Sequence, residues 1–388
     1  MSEFKNLPSG WSKYELGEIC KISSSKFDPT KNSEVKKCIE LEHLSQKTGQ
    51  ILGFISSSEQ KSIKNEFKTG QILYGKLRPY LQKFCQAKFD GVCSSEIWVL
   101  QGKKVTNDFL FYLVQSDKFN QIANKTSGTK MPRADWEYMS EMPFFIPLEP
   151  EQKKIAEILS TWDEAINLTI NLIESKKQFK KALMQNLLTA KINWHTTTLS
   201  NVGEIITGST PSTTNEKFWN GEVAWITPTD IGDKKDIFIG ERSITQDGLK
   251  ATRELPANSL LVTCIASIGK NAVLKVKGSC NQQINALIPN QNFNVDFLYY
   301  LLEFEKEKLK KLAGITATLI ISKALFSKFK ISFPDITEQQ KIAEVLMACD
   351  DEINLLNLKL ENLKKQKQGL MQKLLKGEMR TCYVKKAM

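Results

Sequence analysis

The sequence contains two histidines, His43 and His195, and its eight cysteines are scattered with no Cys-x-x-Cys pair. Protein zinc sites are built from clustered cysteine and histidine ligands, so this composition argues against a zinc centre. Disulfide frameworks belong mainly to small secreted chains. We therefore interpret the cysteines as reduced thiols that pack inside a cytoplasmic protein.

Long apolar runs are also missing. No stretch of about 18 apolar residues is present, so no membrane-spanning helix is expected. The segment 1–11 has no apolar signal core, which argues against export. The 388 residues, 41% of them hydrophobic, are enough for about two or three domains on a prior of ~150 residues each.

Catalytic motifs are missing as well. The stretch nearest to a phosphate-binding loop, at 264–271, lacks the first glycine and the final Ser or Thr of that motif. There is no Pro-Pro pair, which the loop of base-amino methyltransferases requires, and no Gly-x-Ser-x-Gly. The nearest nuclease-like set is Asp28, Glu34 and Lys36, at short spacing and without a supporting strand pattern. The sequence predicts a binding and assembly protein that is not an enzyme.

What the chain does contain is one segment twice. Residues 151–168 are EQKKIAEILSTWDEAINL and residues 338–355 are EQQKIAEVLMACDDEINL. The two copies lie 187 residues apart, and 19 of the 38 positions from 151 and from 338 onward are identical by direct count. Solenoid repeats have periods of about 20–50 residues. This period is half the chain, so the protein is built from two copies of one plan.

Both copies have the heptad spacing of a helix that pairs with another helix. In the second copy, nine of ten seam positions are apolar; they are Ile342, Leu346, Cys349, Ile353, Leu356, Leu360, Leu363, Lys367, Leu370 and Leu374. In the first copy, seven of ten are apolar; they are Ile155, Leu159, Trp162, Ile166, Thr169, Ile173, Lys176, Lys180, Leu183 and Leu187. Thr337 with Gln340 resembles a capping box, and Gly377 is a plausible stop.

A helix of about 38 residues, or ~57 Å, with so narrow an apolar stripe needs a partner helix. The other copy is the obvious partner, and an antiparallel arrangement is the simpler one, because the chain travels out along one helix and returns along the other. The alternative is two amphipathic helices that each pack only on their own domain.

The globular halves correspond at several short anchors. Gly17-Glu18-Ile19 matches Gly203-Glu204-Ile205. Gly91 matches Gly278 at 187 positions, the spacing of the two long segments. Between the anchors the two sequences differ widely. Short β runs are predicted at 71–74, 97–100, 259–263 and 284–288, with a helix near 107–124 and another near 295–313.

The sequence therefore predicts an α+β fold in which two pseudo-repeated globular domains are separated by two long helices forming an antiparallel coiled coil. The predicted boundaries are a first domain at 1–147, a first long helix at 148–191, a second domain at 192–334, a second long helix at 335–377 and a basic tail at 378–388. The net charge of +11 favours a polyanionic partner.

With these features the chain resembles the specificity (S) subunits of type I restriction–modification systems. The resemblance rests on two divergent domains, each followed by a helix that opens with Glu-Gln-x-Lys-Ile-Ala-Glu-x-Leu, and on the segment GKLRPYL at 75–81. It implies that each domain is a target recognition domain for one half of a bipartite site in double-stranded DNA. It implies further that the paired helices set the half-site spacing and dock two modification (M) subunits, and that the S subunit has no catalytic activity.

The resemblance also implies cofactors in the partners and none in this chain. The M subunits of the family use S-adenosylmethionine to methylate adenine, and restriction (R) subunits use ATP and magnesium to translocate and cut DNA. The helix length bounds the gap between half-sites at roughly 17 base pairs, at 3.4 Å per step.

Candidate DNA-contacting residues are basic or amide side chains in glycine-bearing loops, because Arg and Lys pair with guanine or phosphate and Asn and Gln pair with adenine. The candidates are Lys76, Arg78, Lys83, Thr129, Lys130 and Arg133 in the first half, and Ser267, Lys270, Asn281, Gln282 and Gln283 in the second. Thr227, Thr229 and Asp230 are weaker candidates. The tryptophans Trp98, Trp136, Trp219 and Trp225 are expected in the core.

Candidate helix-pairing residues are Ile155, Leu159, Trp162, Ile166, Ile342, Leu346, Cys349, Ile353, Leu356 and Leu363. Two rival functions stay open at this point. One is a coiled-coil adaptor whose domains bind protein, and the other is a self-contained DNA-modifying enzyme. Steep salt-dependent DNA binding would oppose the adaptor, and activity of the isolated chain would favour the enzyme.

Overall fold

The computed structural model describes residues 8–23, 25–125, 131–232, 234–313 and 320–381. The chain divides into two compact units: unit 1 comprises residues 1–170 and 358–388, and unit 2 comprises residues 171–357. Each unit therefore contains one globular half, the beginning of one long helix and the end of the other. Among the described residues, no helix is long and apolar enough to cross a membrane.

The globular half of unit 1 combines short strands with short helices. Its strands are β1 Trp11–Glu15, β2 Cys20–Ile22, β3 Lys26–Phe27, β4 Lys37–Ile39, β5 Ile55–Ser56, β6 Lys64–Phe67, β7 Ile72–Gly75, β8 Phe84–Gln86, β9 Gly91–Cys93, β10 Ile97–Gly102 and β11 Pro143–Pro147. Its helices are α1 Leu16–Ile19, α2 Asn107–Leu113, α3 Asp117–Ala123 and α4 Trp136–Ser140, and the first long helix, α5, is Glu149–Leu188.

The globular half of unit 2 is built in the same way. Its strands are β12 His195–Thr198, β13 Gly203–Thr207, β14 Trp219–Ile226, β15 Asp236–Ile237, β16 Arg242–Ile244, β17 Ser259–Thr263, β18 Asn271–Leu274, β19 Gly278–Cys280, β20 Ile284–Pro289 and β21 Lys330–Phe333. Its helices are α6 Leu199–Val202, α7 Gln246–Lys250, α8 Val295–Phe304, α9 Lys306–Lys311 and α10 Lys323–Ser327, and the second long helix, α11, is Ile336–Leu375.

The two halves share a central sheet and differ in the second sheet. Unit 1 has the order β2-β10-β7-β8, and unit 2 has the equivalent order β13-β20-β17-β18 with β15 added at the edge. In each half a two-stranded ribbon, β1-β11 or β12-β21, leads into the long helix. The second sheet is β3-β6-β9-β4-β5 in unit 1 and β16-β14-β19 in unit 2. The α+β duplication predicted from sequence is confirmed, and the divergence is concentrated in the second sheet.

The predicted helices near 107–124 and 295–313 are each two shorter helices. In unit 1 the break falls between α2 and α3, where the Ser116 hydroxyl accepts a hydrogen bond from the Phe119 amide and donates one to the Leu113 carbonyl. In this way Ser116 satisfies a carbonyl at the end of one helix and an amide at the start of the next. In unit 2 the break falls at Glu305, between α8 and α9.

The long helices run antiparallel within each unit, as ion pairs show. In unit 2, Lys176 pairs with Glu352 at 2.7 Å and Lys180 with Asp350 at 2.5 Å, so position rises along α5 as it falls along α11. In unit 1, Asp163 pairs with Lys367 at 2.6 Å, and the Glu151 carboxylate pairs with Arg380, just beyond α11, at 2.8 Å. The predicted antiparallel coiled coil is therefore present.

The predicted seam residues lie on the less exposed faces of both helices. Ile155, Leu159, Ile342 and Leu346 are buried, whereas the other candidates, Trp162, Ile166, Cys349, Ile353, Leu356 and Leu363, are half-buried. Ile155 and Leu159 share one buried cluster with the first domain and with Met371 and Leu374 of α11. The start of α5 therefore packs on its own domain and belongs to the same core as the end of α11.

The Glu-Gln pair that opens each long helix has a structural role. Gln152, 2% exposed, accepts a hydrogen bond from the Thr106 amide at 3.0 Å and donates to the carbonyls of Lys104 and Pro147. Gln339, 1% exposed, repeats the pattern with Asn294, Asn292 and Pro334. Each glutamine joins the loop before a domain helix to the strand that ends just before the long helix.

The preceding glutamate is also paired in both units. Glu151 accepts hydrogen bonds from the Trp11 indole at 3.1 Å and from the Arg380 guanidinium, and Glu338 pairs with Lys191 at 2.8 Å. Both basic partners follow the end of the other long helix. The duplicated motif is therefore explained by packing and by hydrogen bonds within the chain.

The predicted capping box at Thr337 is wrong. Helix α11 begins at Ile336, and the carboxylate of Asp335 accepts from the Glu338 amide at 2.9 Å. Asp335 therefore occupies the position before the first helical residue, where a side-chain acceptor satisfies a free amide. The predicted stop is confirmed, because α11 ends at Leu375 and Gly377 adopts a left-handed φ of 70°.

Gly91 and Gly278 share a physical reason for being glycine. A Cβ on Gly91 would lie 2.6 Å from the Lys37 carbonyl oxygen, and one on Gly278 would lie 2.6 Å from the Ala224 carbonyl oxygen. Each clash is with the neighbouring parallel strand, β4 or β14. The main chain of the neighbouring strand cannot move away from such a clash, whereas a flexible side chain could.

We predict that Gly91→Ala or Gly278→Ala lowers the free energy of unfolding by about 1–3 kcal/mol, the range for overpacked sites. The control is Gly369→Ala in α11, where a Cβ meets no atom within 4 Å. That change should raise stability by about 0.5–1 kcal/mol through helix propensity. Thermal denaturation followed by circular dichroism measures both. Equal effects of the strand and helix substitutions would contradict the explanation.

The buried glutamines give a second prediction. Gln152→Leu or Gln339→Leu leaves one amide and two carbonyls without their partner, so each should cost about 2 kcal/mol of unfolding free energy. Gln178→Leu is the matched control, because Gln178 is exposed and its side chain reaches only Glu174 on the same helix. That control should stay within about 0.5 kcal/mol of the parent in denaturant titrations.

Candidate nucleic-acid interface

The segment GKLRPYL of unit 1 follows β7 and lies beside residues 132–134. The Arg78 amide donates to the Pro132 carbonyl at 2.8 Å, and the Ala134 amide donates to the Lys76 carbonyl at 2.9 Å. Arg78 has a left-handed φ of 52° and precedes Pro79, the first residue of a short 3-10 turn. These contacts bring Lys76, Arg78 and Arg133 together at one edge of the domain.

The three basic side chains differ in what they contact. Arg78 is exposed, and neither it nor Lys76 makes a side-chain hydrogen bond or ion pair within the described residues. The Arg133 guanidinium donates to both carboxylate oxygens of Glu96, at 3.0 and 3.2 Å, which raises the pKa of Arg133. Lys76 and Arg78 are thus the available cations at this edge, whereas Arg133 already has an acidic partner.

Lys83 does not belong to this group. Its ammonium donates to the Leu41 carbonyl at 2.6 Å, so its hydrogen-bonding capacity is partly used inside the domain. Thr129 and Lys130, predicted in the neighbouring loop, lie outside the described residues.

The equivalent loop of unit 2, residues 264–270, follows β17. The Ile321 amide donates to the Cys264 carbonyl at 2.8 Å, so this loop also lies beside the segment that follows the domain helices. Left-handed φ angles at Ala266 and Gly269 shape the loop. Lys270 is exposed and Ser267 half-buried, and neither side chain has a partner within the part of the chain that the structure describes.

The predicted amide residues lie in the turn between β19 and β20, beside this loop. Asn281 accepts from the Gln283 amide at 3.0 Å and donates to its side-chain oxygen at 3.1 Å. The Gln282 side chain accepts from the Thr210 hydroxyl at 2.6 Å. The Cys264 amide donates to the Gln283 carbonyl at 2.9 Å, which joins the turn to the loop. Asn281 is buried and shapes the turn, whereas Gln282 is exposed.

The weaker candidates contact one another and a neighbouring segment; the hydroxyls of Thr227 and Thr229 lie 2.8 Å apart. The Asp230 carboxylate accepts from the amide and hydroxyl of Thr227, at 2.7 and 2.6 Å, and from the Glu241 amide. In the nuclease-like set, Asp28 has no contact with Glu34 or Lys36 within the described residues. Asp28 accepts from Thr30, while Lys36 pairs with Glu34 and Glu66.

Three exposed or aromatic-bound residues were not among the sequence candidates. Tyr80 and Met131 are about half exposed and flank the Arg78 edge; Tyr80 lies in the segment GKLRPYL, which was the available signal. In unit 2 the Arg242 guanidinium lies 3.7 Å from the Trp219 ring centre and 5.6 Å from that of Trp225. No sequence pattern joins Arg242 to Trp219, because β14 and β16 are paired only by the fold.

The cysteines and tryptophans lie mainly in the cores. Six of the described cysteines are buried, and burial raises the pKa of Cys20, Cys85 and Cys280 to about 12. Those thiols stay protonated near neutral pH, so they are poor nucleophiles. Within the described ranges, no group of three or more His, Cys, Asp or Glu residues could hold a metal ion.

Comparison with protein families gives one model that matches twice. The family described as "Type I restriction modification DNA specificity domain" matches residues 8–175 and 191–365. The two matched stretches coincide with the two structural repeats, each comprising one globular half and most of the long helix after it.

Three relatives are named as type I restriction enzyme specificity subunits. The MjaIX subunit of Methanocaldococcus jannaschii is 35% identical over 184 residues, 46% of this chain and 41% of that protein. The HindI subunit of Haemophilus influenzae is 25% identical over 431 aligned positions, 84% of this chain and 90% of that protein. The EcoR124I/EcoR124II subunit of Escherichia coli is 32% identical over 231 residues, 54% and 55% of the two chains.

Solved structures share the fold. A chain from a type I R-M system, studied for complex assembly and conformational transition, has a TM-score of 0.66 at 19% identity, covering 96% of this chain and 100% of that one. A type I S subunit from M. genitalium has a TM-score of 0.61 at 15% identity, covering 96% and 98%.

Proposed function

The chain belongs to the family of type I restriction–modification DNA specificity proteins, and from this premise we propose how its two halves divide the work. It is a specificity subunit and is itself non-catalytic. Each globular domain recognises one half of a bipartite site in double-stranded DNA. The paired helices set the spacing between the half-sites and dock two M subunits.

The observation that carries this proposal is the repetition of a scaffold whose variable parts differ. The order of four central strands, the two-stranded ribbon and the buried glutamine contacts are the same in both units, whereas the second sheet has five strands in one and three in the other. Duplex DNA has a local dyad, so two equivalent scaffolds suit two half-sites. Different surfaces on those scaffolds suit two different base sequences.

The partner chemistry follows from the same assignment. The M subunits would bind S-adenosylmethionine and methylate adenine, which requires the base to leave the helical stack. R subunits would use ATP and magnesium to translocate and cut DNA. Because its substrate is chromosomal or invading DNA, the complex is proposed to act in the cytoplasm.

The proposed contacts to the DNA phosphates are Lys76, Arg78 and Lys270, because their side chains have no acidic partner within the described residues. The positive charge of the chain would provide sequence-independent affinity through counterion release. Gln282 and Ser267 are proposed to face base edges in unit 2. Arg133 would contribute less, since Glu96 already holds its guanidinium.

Salt dependence tests the Arg78 assignment. We predict that Arg78→Ala lowers DNA affinity and makes the slope of log K against log salt shallower by about 1, the effect of one lost phosphate contact. Lys83→Met is the charge-matched control, because Lys83 donates to the Leu41 carbonyl. Its slope should stay at the parent value. Fluorescence anisotropy with labelled duplex, using the chain with its M subunits, gives both slopes; equal changes would contradict the assignment.

A methylation map tests the function itself. The chain is co-expressed with its M subunit in a methylation-free host, and modified bases are located by sequencing. We expect a two-part motif with a constant unspecified gap, methylated on opposite strands in its two halves. Methylation at a continuous site would overturn the bipartite assignment. Absence of methylation from an intact, cofactor-binding complex would favour a protein-binding adaptor.

A further inference from the structure

The same three-residue contact occurs once in each unit, where a domain helix meets both long helices. In unit 1 the Asp163 carboxylate of α5 accepts from the Tyr112 hydroxyl of α2 at 2.9 Å and from the Lys367 ammonium of α11 at 2.6 Å. The lysine also lies 5.4 Å from the centre of the tyrosine ring.

Unit 2 has the same arrangement with the long helices exchanged. The Asp350 carboxylate of α11 accepts from the Tyr300 hydroxyl of α8 at 2.6 Å and from the Lys180 ammonium of α5 at 2.5 Å. The ammonium lies 5.1 Å from the ring centre. Asp163 and Asp350 are 187 positions apart, as are Lys180 and Lys367, so both contacts descend from the same positions of the repeat.

We propose that these two Tyr–Asp–Lys triads are positioning residues that select one register of the antiparallel helix pair, and so the single gap length that the complex accepts. The part of the proposal that concerns gap length rests on the proposed function. The part that concerns register stands on the helices alone.

The physical argument starts from the seam. Apolar seam contacts recur every seven residues, so they stabilise registers that differ by seven residues almost equally. A lone charged pair does not recur. Lys180 and Lys367 occupy seam positions and are mostly buried, with side chains 20% and 13% exposed. Polar groups at single seam positions are the best-attested device for specifying register.

Moving the helices by seven residues breaks both triads. Lys367 would then stand opposite Ile170 in one direction and Ala156 in the other, in place of Asp163. Neither shift places any of the four charged groups opposite a group of opposite charge at the matching position. Each shifted register therefore leaves buried charges without partners, which is strongly unfavourable.

The tyrosines connect this selection to the recognition domains. Burial and the adjacent Asp163 carboxylate raise the pKa of Tyr112 far above the usual range of a tyrosine. Burial and the Asp350 carboxylate do the same for the pKa of Tyr300. Both hydroxyls therefore remain donors across the working pH range. Each donates from a domain helix to the aspartate that holds the other helix's lysine, so each domain is tied to the selected register.

The test removes the charges and keeps the shapes. In the variant with Asp163→Asn, Asp350→Asn, Lys180→Met and Lys367→Met, the tyrosines keep an acceptor and the seam stays apolar. The protein should remain folded, since replacing buried ion pairs by apolar groups is often neutral or stabilising. With the M subunit, methylation should spread to sites whose gap differs from the parent gap. A shift of one heptad moves the helices by about 10.5 Å, or ~3 base pairs.

A DNA-independent measurement reads the register directly. A zero-length carboxyl–amine cross-linker should join Lys176 to Glu352 in the parent chain, because the Lys176 ammonium lies 2.7 Å from the Glu352 carboxylate. In the variant that lacks the four triad charges this product should fall about threefold or more, and products with other carboxylates such as Glu344, eight residues before Glu352, should appear. Mass spectrometry of the digested chain quantifies both cross-linked products. Because this measurement needs no DNA, it tests the register even if the proposed function is wrong.

Two controls complete the experiment. Glu149→Gln with Lys153→Met removes an exposed ion pair from the same helix and should leave both gap and cross-links unchanged. Exchanging the charges, with Asp163→Lys, Lys367→Asp, Asp350→Lys and Lys180→Asp, should restore the parent register. If the folded variant without the triad charges keeps one gap and the Lys176–Glu352 product, the triads do not select the register and the proposal is overturned.

Discussion

Neither long helix can bury its apolar stripe alone, and the rest of the architecture depends on this constraint. A helix of 40 residues spans about 60 Å, and each long helix is divided between the two compact units. Most helical stability in proteins comes from packing an apolar face. The chain meets the requirement by duplication, which supplies a partner helix with the same stripe in the same phase. The antiparallel direction then brings the start of one copy beside the end of the other. Each compact unit is consequently a composite of both repeats.

The composite nature of each unit explains which residues the two repeats share. Gln152 and Gln339 join a domain to its own long helix, whereas Glu151, Asp163 and their counterparts hold basic residues from the other repeat. An ion pair in such a place adds little net stability, because desolvation offsets attraction. The ion pair instead contributes specificity, since it distinguishes one arrangement of two similar helices from others that bury equal apolar area.

How much of this was predictable depended on the range of the interaction. The long helices, their seam and the stop at Gly377 follow from local spacing, so the sequence predicted them. The sequence also placed Lys180 and Lys367 in the apolar seam, but it did not indicate their partners. Asp350 lies 170 positions from Lys180, and Asp163 lies 204 positions from Lys367. Strand order was beyond prediction for the same reason. The cap is Asp335 and not Thr337, because two residues of capping type stand two positions apart and the helix begins between them, at Ile336.

The candidate interface shows a sharper limit. Residue type predicted that Arg78 and Lys83 are both cationic and both in the same stretch, yet one side chain is exposed and the other donates to the Leu41 carbonyl. Asn281 and Gln282 are adjacent amides, yet one is buried in its own turn and the other is exposed. Charge and hydrogen-bonding capacity are properties of the residue, whereas its availability to a ligand depends on its neighbours in space.

The parts of the domains that meet the helices had to remain alike in both repeats, because both meet the same partner surfaces. The second sheets do not meet the helices in this way, so the two repeats differ there without disturbing the helix pair.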